Sequence, residues 1–203
     1  MHCAFILCFF ALLVFVTFQS TKSGASNYVP LNRCVWSDCN VSNINLTIQN
    51  YSIDCCKLEV PLIYAKPNKT KIIISIVRLK PFSQHHTTNN TLFILTDGPD
   101  QSGWTFTAYV GILFPPTYGI TIILPDQRGI GLSTFLSCDD YGSQNITIVS
   151  AHDLSVQIRY YQSIVSGRVS VYSFSYGTMW LDRFRQIYPN LVQLAIMDSA
   201  VNP

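Results

Sequence analysis

The chain has 203 residues, of which 48% are hydrophobic and only 12% charged, with a net charge of +2. That balance excludes a disordered or highly charged protein, which pairs low hydrophobicity with high net charge, and the length suits one domain with a small appendage. Basic residues number 13 against 11 acidic ones and form no block, so the basic stripe of an electrostatic nucleic-acid binder is missing and no nucleic-acid partner is expected.

Cys3 to Phe18 is a continuous apolar run, followed by a polar, small-residue stretch from Gln19 to Ser26. About 16 apolar residues fall short of the roughly 20 of a bilayer span and match the core of a secretory signal. Ser23 and Ala25 stand two apart, as small residues do at a cleavage site. His2 alone precedes the run, with no Lys or Arg, so an uncleaved anchor remains an alternative. The expected division is a signal at 1–25, a glycosylated extension at 26–55 and the main domain at 56–203. No stable membrane insertion is expected after signal cleavage, and the destination is outside the cell or the lumen of the secretory or lysosomal pathway.

Two further features agree with that destination. Asn40, Asn45, Asn50, Asn68, Asn89 and Asn145 each precede Ser or Thr by two residues, the acceptor pattern for N-glycosylation. Once Cys3 and Cys8 are set aside with the signal, Cys34, Cys39, Cys55, Cys56 and Cys138 remain. In an oxidising compartment they read as disulfide partners, with one left over. A metal site is not expected, because these cysteines lack CxxC spacing and a nearby His; His85 and His86 lie in a polar loop and read as solvated surface.

Downstream the sequence alternates regularly. Lys57 to Ala65 reads as a strand, Pro67-Asn68-Lys69 as a turn, and Lys71 to Leu79 as a β-branched strand. Thr91 to Thr96 is a short apolar run of the buried kind, and Asp97 to Gly103 a glycine-containing turn. Trp104 to Phe114 is predicted helical, Gly119 to Leu124 a buried strand. Ile148, Ala151, Val156, Ile158, Tyr161 and Val165 recur at helical spacing between Thr147 and Val165. Val169 to Phe174 is a strand, Gly177 to Tyr188 a helix stopped by Pro189, and Leu191 to Met197 a last strand. Strands alternating with helices predict an α/β fold, its sheet mainly parallel and covered on both faces.

Three turns carry the chemistry. In Ser173-Phe174-Ser175-Tyr176-Gly177 a strand runs in and a helix runs out, the context of a nucleophile elbow that exposes one hydroxyl at the sheet's C-terminal edge. Ser175 is the candidate nucleophile, and Gly177 meets the need for a small residue where backbones approach. Ser173 stands where the G-x-S-x-G pattern has its first glycine. Asp97-Gly98-Pro99-Asp100-Gln101-Ser102-Gly103 follows the strand where such a fold places its oxyanion loop; Gly98 and Tyr176 would supply the two backbone amides. Asp126-Gln127-Arg128-Gly129-Ile130-Gly131-Leu132-Ser133 reads as scaffolding in which Asp126 and Arg128 can pair. No G-x-G-x-x-G opens a helix there, so no nucleotide or other cofactor is expected.

In this order the three turns resemble the α/β-hydrolase superfamily, and more narrowly its proline-iminopeptidase and tripeptidyl-aminopeptidase-like serine peptidases. Val60-Pro61-Leu62-x-Tyr64, Cys138, Asp153-Leu154 with Arg159, and Tyr188-Pro189 before a strand ending at Asp198 agree. The resemblance runs from Cys56 to Pro203. It implies the first six strands of an eight-stranded sheet and a serine exopeptidase that forms an acyl-enzyme on Ser175 and acts on peptides with a free N-terminus. Three departures stand out. Asp97 and Asp100 replace two glycines of the family's G-G-P-G-x-S-G loop, Ser173 replaces the first elbow glycine, and the triad acid and His of the family fall after Pro203. The 203-residue chain alone is therefore expected to be inactive. His152, ahead of the nucleophile strand, is not expected to be the base, and Asp198 stands one strand too early for the usual acid. Two other readings stay open: a non-catalytic glycoprotein on this scaffold, and a related esterase.

Overall fold

The computed structural model describes residues 34–39, 50–82, 88–141 and 145–201. The predicted signal segment, Asn40, Asn45, His85 and His86 lie outside the described residues.

The described chain forms one seven-stranded sheet. Its strands are β1 (Trp36–Ser37), β2 (Tyr51–Pro61), β3 (Lys71–Pro81), β4 (Thr91–Leu95), β5 (Thr121–Pro125), β6 (Val169–Phe174) and β7 (Leu194–Asp198), and its helices are α1 (Thr107–Leu113), α2 (Cys138–Tyr141), α3 (Ile146–Ile164) and α4 (Tyr176–Ile187). The spatial order is β1-β2-β3-β5-β4-β6-β7. β1, β2, β3 and β5 pair antiparallel in sequence, whereas β5, β4, β6 and β7 run parallel.

Strand alternation sorts the core into two layers, since successive side chains point to opposite faces. Phe93 and Leu95 of β4 join Ile72, Ile74 and Ile76 of β3 beneath α3 and α4. Ile94, Val77 and Leu79 face the other way, toward Val110 of α1 and Trp104 in the 3-10 turn that precedes it. Both faces are thus covered by helices, as the run of β-branched residues in β3 requires. α3 carries its own start signal: the Asn145 side chain accepts from the amides of Thr147 and Ile148, which satisfies donors with no intrahelical partner.

Several boundaries differ from those expected: the helix predicted from Trp104 to Phe114 opens as a 3-10 turn (Gly103–Phe106) with α1 at Thr107–Leu113, β5 runs from Thr121 to Pro125 instead of Gly119 to Leu124, and the last strand starts at Leu194, not Leu191. The largest differences are in the N-terminal strands. β2 begins at Tyr51 and ends at Pro61 instead of running from Lys57 to Ala65, because all 11 of its residues are registered against β3, from Tyr51↔Pro81 to Pro61↔Lys71. For the same reason β3 runs on to Pro81, two residues past Leu79. β1 was not foreseen at all. It is held by Cys34–Cys56 and Cys39–Cys55, bridges from adjacent cysteines whose positions in β2 face opposite sides of the sheet. Two disulfides fit an oxidising compartment, and among the described residues no helix is long and apolar enough to cross a membrane. The acceptor asparagines Asn50, Asn68, Asn89 and Asn145 are all exposed.

Candidate functional site

Register places the site. Leu95 of β4 lies beside Ser173 of β6 in a parallel ladder, so the turns two residues further on, at Asp97 and Ser175, emerge side by side at the C-terminal edge. Ligand sites of open α/β sheets form at that edge.

Ser175 has φ 50° and ψ −121°, a left-handed backbone that a side-chain-bearing residue adopts at a cost of about 1–3 kcal/mol. The surrounding contacts hold it there. Its amide donates to the Asp198 carbonyl at 3.1 Å and its carbonyl accepts from the Thr178 amide at 2.9 Å and the Thr178 hydroxyl at 2.6 Å. The Thr178 hydroxyl also accepts from the Val201 amide at 3.0 Å, tying the elbow to the chain beyond β7. α4 starts at Tyr176 and comes so close to β4 that a Cβ on Gly177 would overlap the Leu95 carbonyl. Ser173 fits at the first elbow position because its hydroxyl, fully buried, donates to the Ile196 carbonyl at 3.2 Å.

The amides of Gly98 and Tyr176 do converge on one point, and an oxygen already stands there. Asp97 Oδ1 accepts from the Gly98 amide at 2.8 Å and from the Tyr176 amide at 3.5 Å. A hydrogen bond from the Ser175 hydroxyl to the same carboxylate is the main reason its carboxyl sits below the usual range, with the Gly98 amide next. Asp97 is half-exposed, so desolvation opposes this only weakly. Sequence reasoning marked Asp97 as a departure from glycine; its seat between these donors depends on the tertiary convergence of two turns. Beside it a cavity of about 10 Å³, roughly one water, is walled by Thr96, Asp97, Gln101, Gln127 and Tyr176 among others.

The loop after β5 is built differently from the expected Asp126–Arg128 pair. Asp126 accepts from the Ser102 hydroxyl at 2.6 Å and the Gly103 amide at 2.8 Å through Oδ1, and from the Leu132 amide at 2.9 Å through Oδ2. Arg128, fully buried, donates to both oxygens of Asp153 at 2.7 Å and to the carbonyls of Pro61 and Leu62. The reason is geometric: the guanidinium reaches α3, whose Asp153 presents two oxygens to its planar fork, while the short Asp126 side chain is taken up by local donors. Gly131, at φ 60°, lies so near the Asp126 carboxylate that a Cβ would collide with it.

His152 is the one histidine among the described residues. Its Nδ1 lies 2.6 Å from the Tyr188 hydroxyl and its ring packs on Tyr64, which holds it where α3 packs against the end of α4. Asp198 accepts from the Tyr172 hydroxyl at 2.7 Å. Among the described residues no group of three His, Cys, Asp or Glu side chains is placed to hold a metal ion.

No protein-family model and no curated protein sequence matches the chain. Solved structures do. A probable hydrolytic enzyme from Pseudomonas aeruginosa PAO1 superposes with TM-score 0.54 at 17% identity over 70% of this chain and 40% of that one. A peroxisomal α/β-hydrolase from Saccharomyces cerevisiae gives 0.53 at 14% identity over 76% and 47%. A cold-adapted esterase from an Arctic intertidal metagenomic library gives 0.51 at 13% over 73% and 61%. The chain spans between 40% and 61% of the length of these structures. With its antiparallel entry, its parallel ladder and Ser175 on a strained strand-to-helix turn, the chain has the α/β-hydrolase fold.

Proposed function

We propose that the chain is the nucleophile-bearing part of a secreted or lumenal serine hydrolase, an exopeptidase acting at free peptide N-termini. One observation carries this reading: Ser175 stands at φ 50° beside two backbone amides that meet on a single oxygen. Such an arrangement serves acyl transfer. The Ser175 hydroxyl attacks the scissile carbonyl, its proton passes to a base, and the carbonyl oxygen takes negative charge between the Gly98 and Tyr176 amides. The base and its orienting acid would come from chain that follows β7 in the longer hydrolases. The peptidase assignment rests on the order and wording of the three turns; the fold is shared with an esterase and does not by itself select a substrate.

A second reading, a non-catalytic glycoprotein on the same scaffold, is favoured by Asp97, whose carboxylate lies where a substrate oxygen would go. The test uses protein made from its full natural coding sequence. A fluorophosphonate adduct at Ser175, lost in Ser175→Ala, together with turnover of aminoacyl or tripeptidyl amides supports the exopeptidase. Turnover of esters alone moves the reading to an esterase. Neither adduct nor turnover supports the non-catalytic protein.

A further inference from the structure

We propose that Asp97 is a built-in occupant of the oxyanion hole, holding the site closed in the manner of a bound carboxylate product until the side chain swings out. This rests on the reading of the Gly98 and Tyr176 amides as that hole.

The contacts are those a product acid would make. One oxygen lies between the amides of Gly98 and Tyr176, at 2.8 and 3.5 Å, and the hydroxyl of the nucleophile is the leading influence that lowers its carboxyl. The occupant is charged at neutral pH, since these hydrogen bonds hold its carboxyl below the usual range, and charge-assisted hydrogen bonds are the stronger kind. It is also tethered one residue from Gly98. A tethered group competes at an effective concentration on the order of millimolar or above, so a free carboxylate at low millimolar concentration cannot displace it. What permits opening is that Asp97 stays half-exposed at the strand end, where water can take over its hydrogen bonds. The family's glycine at this position has no such group, so Asp97 makes entry of a substrate carbonyl conditional on a side-chain rotation.

The experiment is formate binding to protein made from its full natural coding sequence, disulfides intact, selectively labelled with ¹⁵N-glycine and ¹⁵N-tyrosine. The Gly98 and Tyr176 amides are assigned by substitution. In the natural chain both resonances are expected to ignore low millimolar formate. In Asp97→Ala both should shift saturably, with a midpoint at least about tenfold lower than in the natural chain. Asp97→Gly serves the same purpose should the alanine variant fail to fold. Equal midpoints in the natural chain and the variant would overturn the proposal while leaving the hole intact. No response in either variant, with the rest of the spectrum retained, would remove the hole itself, and with it both this proposal and the catalytic assignment.

Discussion

Two carboxylates at the ends of neighbouring parallel strands accept nearly the same donors yet behave in opposite ways. Asp97, after β4, takes two backbone amides and has the Ser175 hydroxyl as the leading influence on its carboxyl; Asp126, after β5, takes two backbone amides and the Ser102 hydroxyl. Burial pushes the Asp126 carboxyl above the usual range against the pull of those donors, whereas hydrogen bonding holds half-exposed Asp97 below it. The donor set alone does not decide the role. Where water is excluded, each bond must be kept and the group becomes a fixture; where water can replace the partner, the same bonds become exchangeable, which a ligand site requires.

The largest test of this contrast lies on the buried side. Arg128→Ala would leave Asp153, itself buried, as an uncompensated charge and orphan the Pro61 and Leu62 carbonyls. Removing one partner of such a pair costs about 3–5 kcal/mol. Urea denaturation should show a loss in that range. A loss below about 1 kcal/mol would mean that water reaches the pair and that the loop is not the dry fixture described.

Gly177→Ala comes next. The added Cβ would run into the Leu95 carbonyl and press on the Thr96 backbone, neither of which can swing aside as a side-chain tip does, so α4 must move. Overpacking of this kind costs about 1–3 kcal/mol. The shift also pulls Ser175 and Tyr176 from Gly98, so in Asp97→Ala/Gly177→Ala the formate response should be weaker than in Asp97→Ala alone. Equal responses would show that the convergence of the two turns does not depend on this close approach.

The carboxylates themselves give the direct comparison. Asp126→Ala leaves buried donors without a partner, at about 1–3 kcal/mol. Asp97→Ala lets water take over its donors and should stay within about 0.5 kcal/mol. Matched denaturation curves check both; similar losses for the two would break the contrast between fixture and exchangeable group.

The strands and helices of the α/β layers were legible because their signals are local: β-branched runs, helical spacing and breakers placed β6 from Val169 to Phe174 as observed, and put Ser175 on a strand-to-helix turn. What escaped depends on distant partners. Nothing near Trp36 announces a strand, since β1 exists through Cys55 and Cys56, more than a dozen residues away. Arg128 looked toward Asp126, two residues distant, but its fork meets Asp153 across the layer between loop and α3. Asp97 was legible as an odd residue in a glycine position, and not as the oxygen between two amides, because that seat requires β4 and β6 in register and Ser175 at positive φ.

The smallest effect extends the comparison to pH. His152 packs beside the buried Arg128–Asp153 pair, between Tyr64 and Tyr188, with Asp153 favouring its charged form and Arg128 opposing it. Burial is the leading influence and holds it below its ordinary value of 6.5. An unfolded chain therefore takes up a proton near pH 6.5 that the folded side chain refuses, so stability falls as pH drops from about 7.5 through 6.5 toward the folded value, below which this group adds no further loss. Asp97 works in a different window: its lowered value contributes stability that is lost only in acid, as pH falls through that folded value. His152→Gln keeps a hydrogen-bonding side chain and removes the proton uptake. Tm measured between pH 7.5 and 5.5 should therefore fall further for the natural chain than for His152→Gln. Parallel curves would show that water reaches this side chain, and that the boundary between the dry and the exchangeable regions lies deeper in the layer beneath α3.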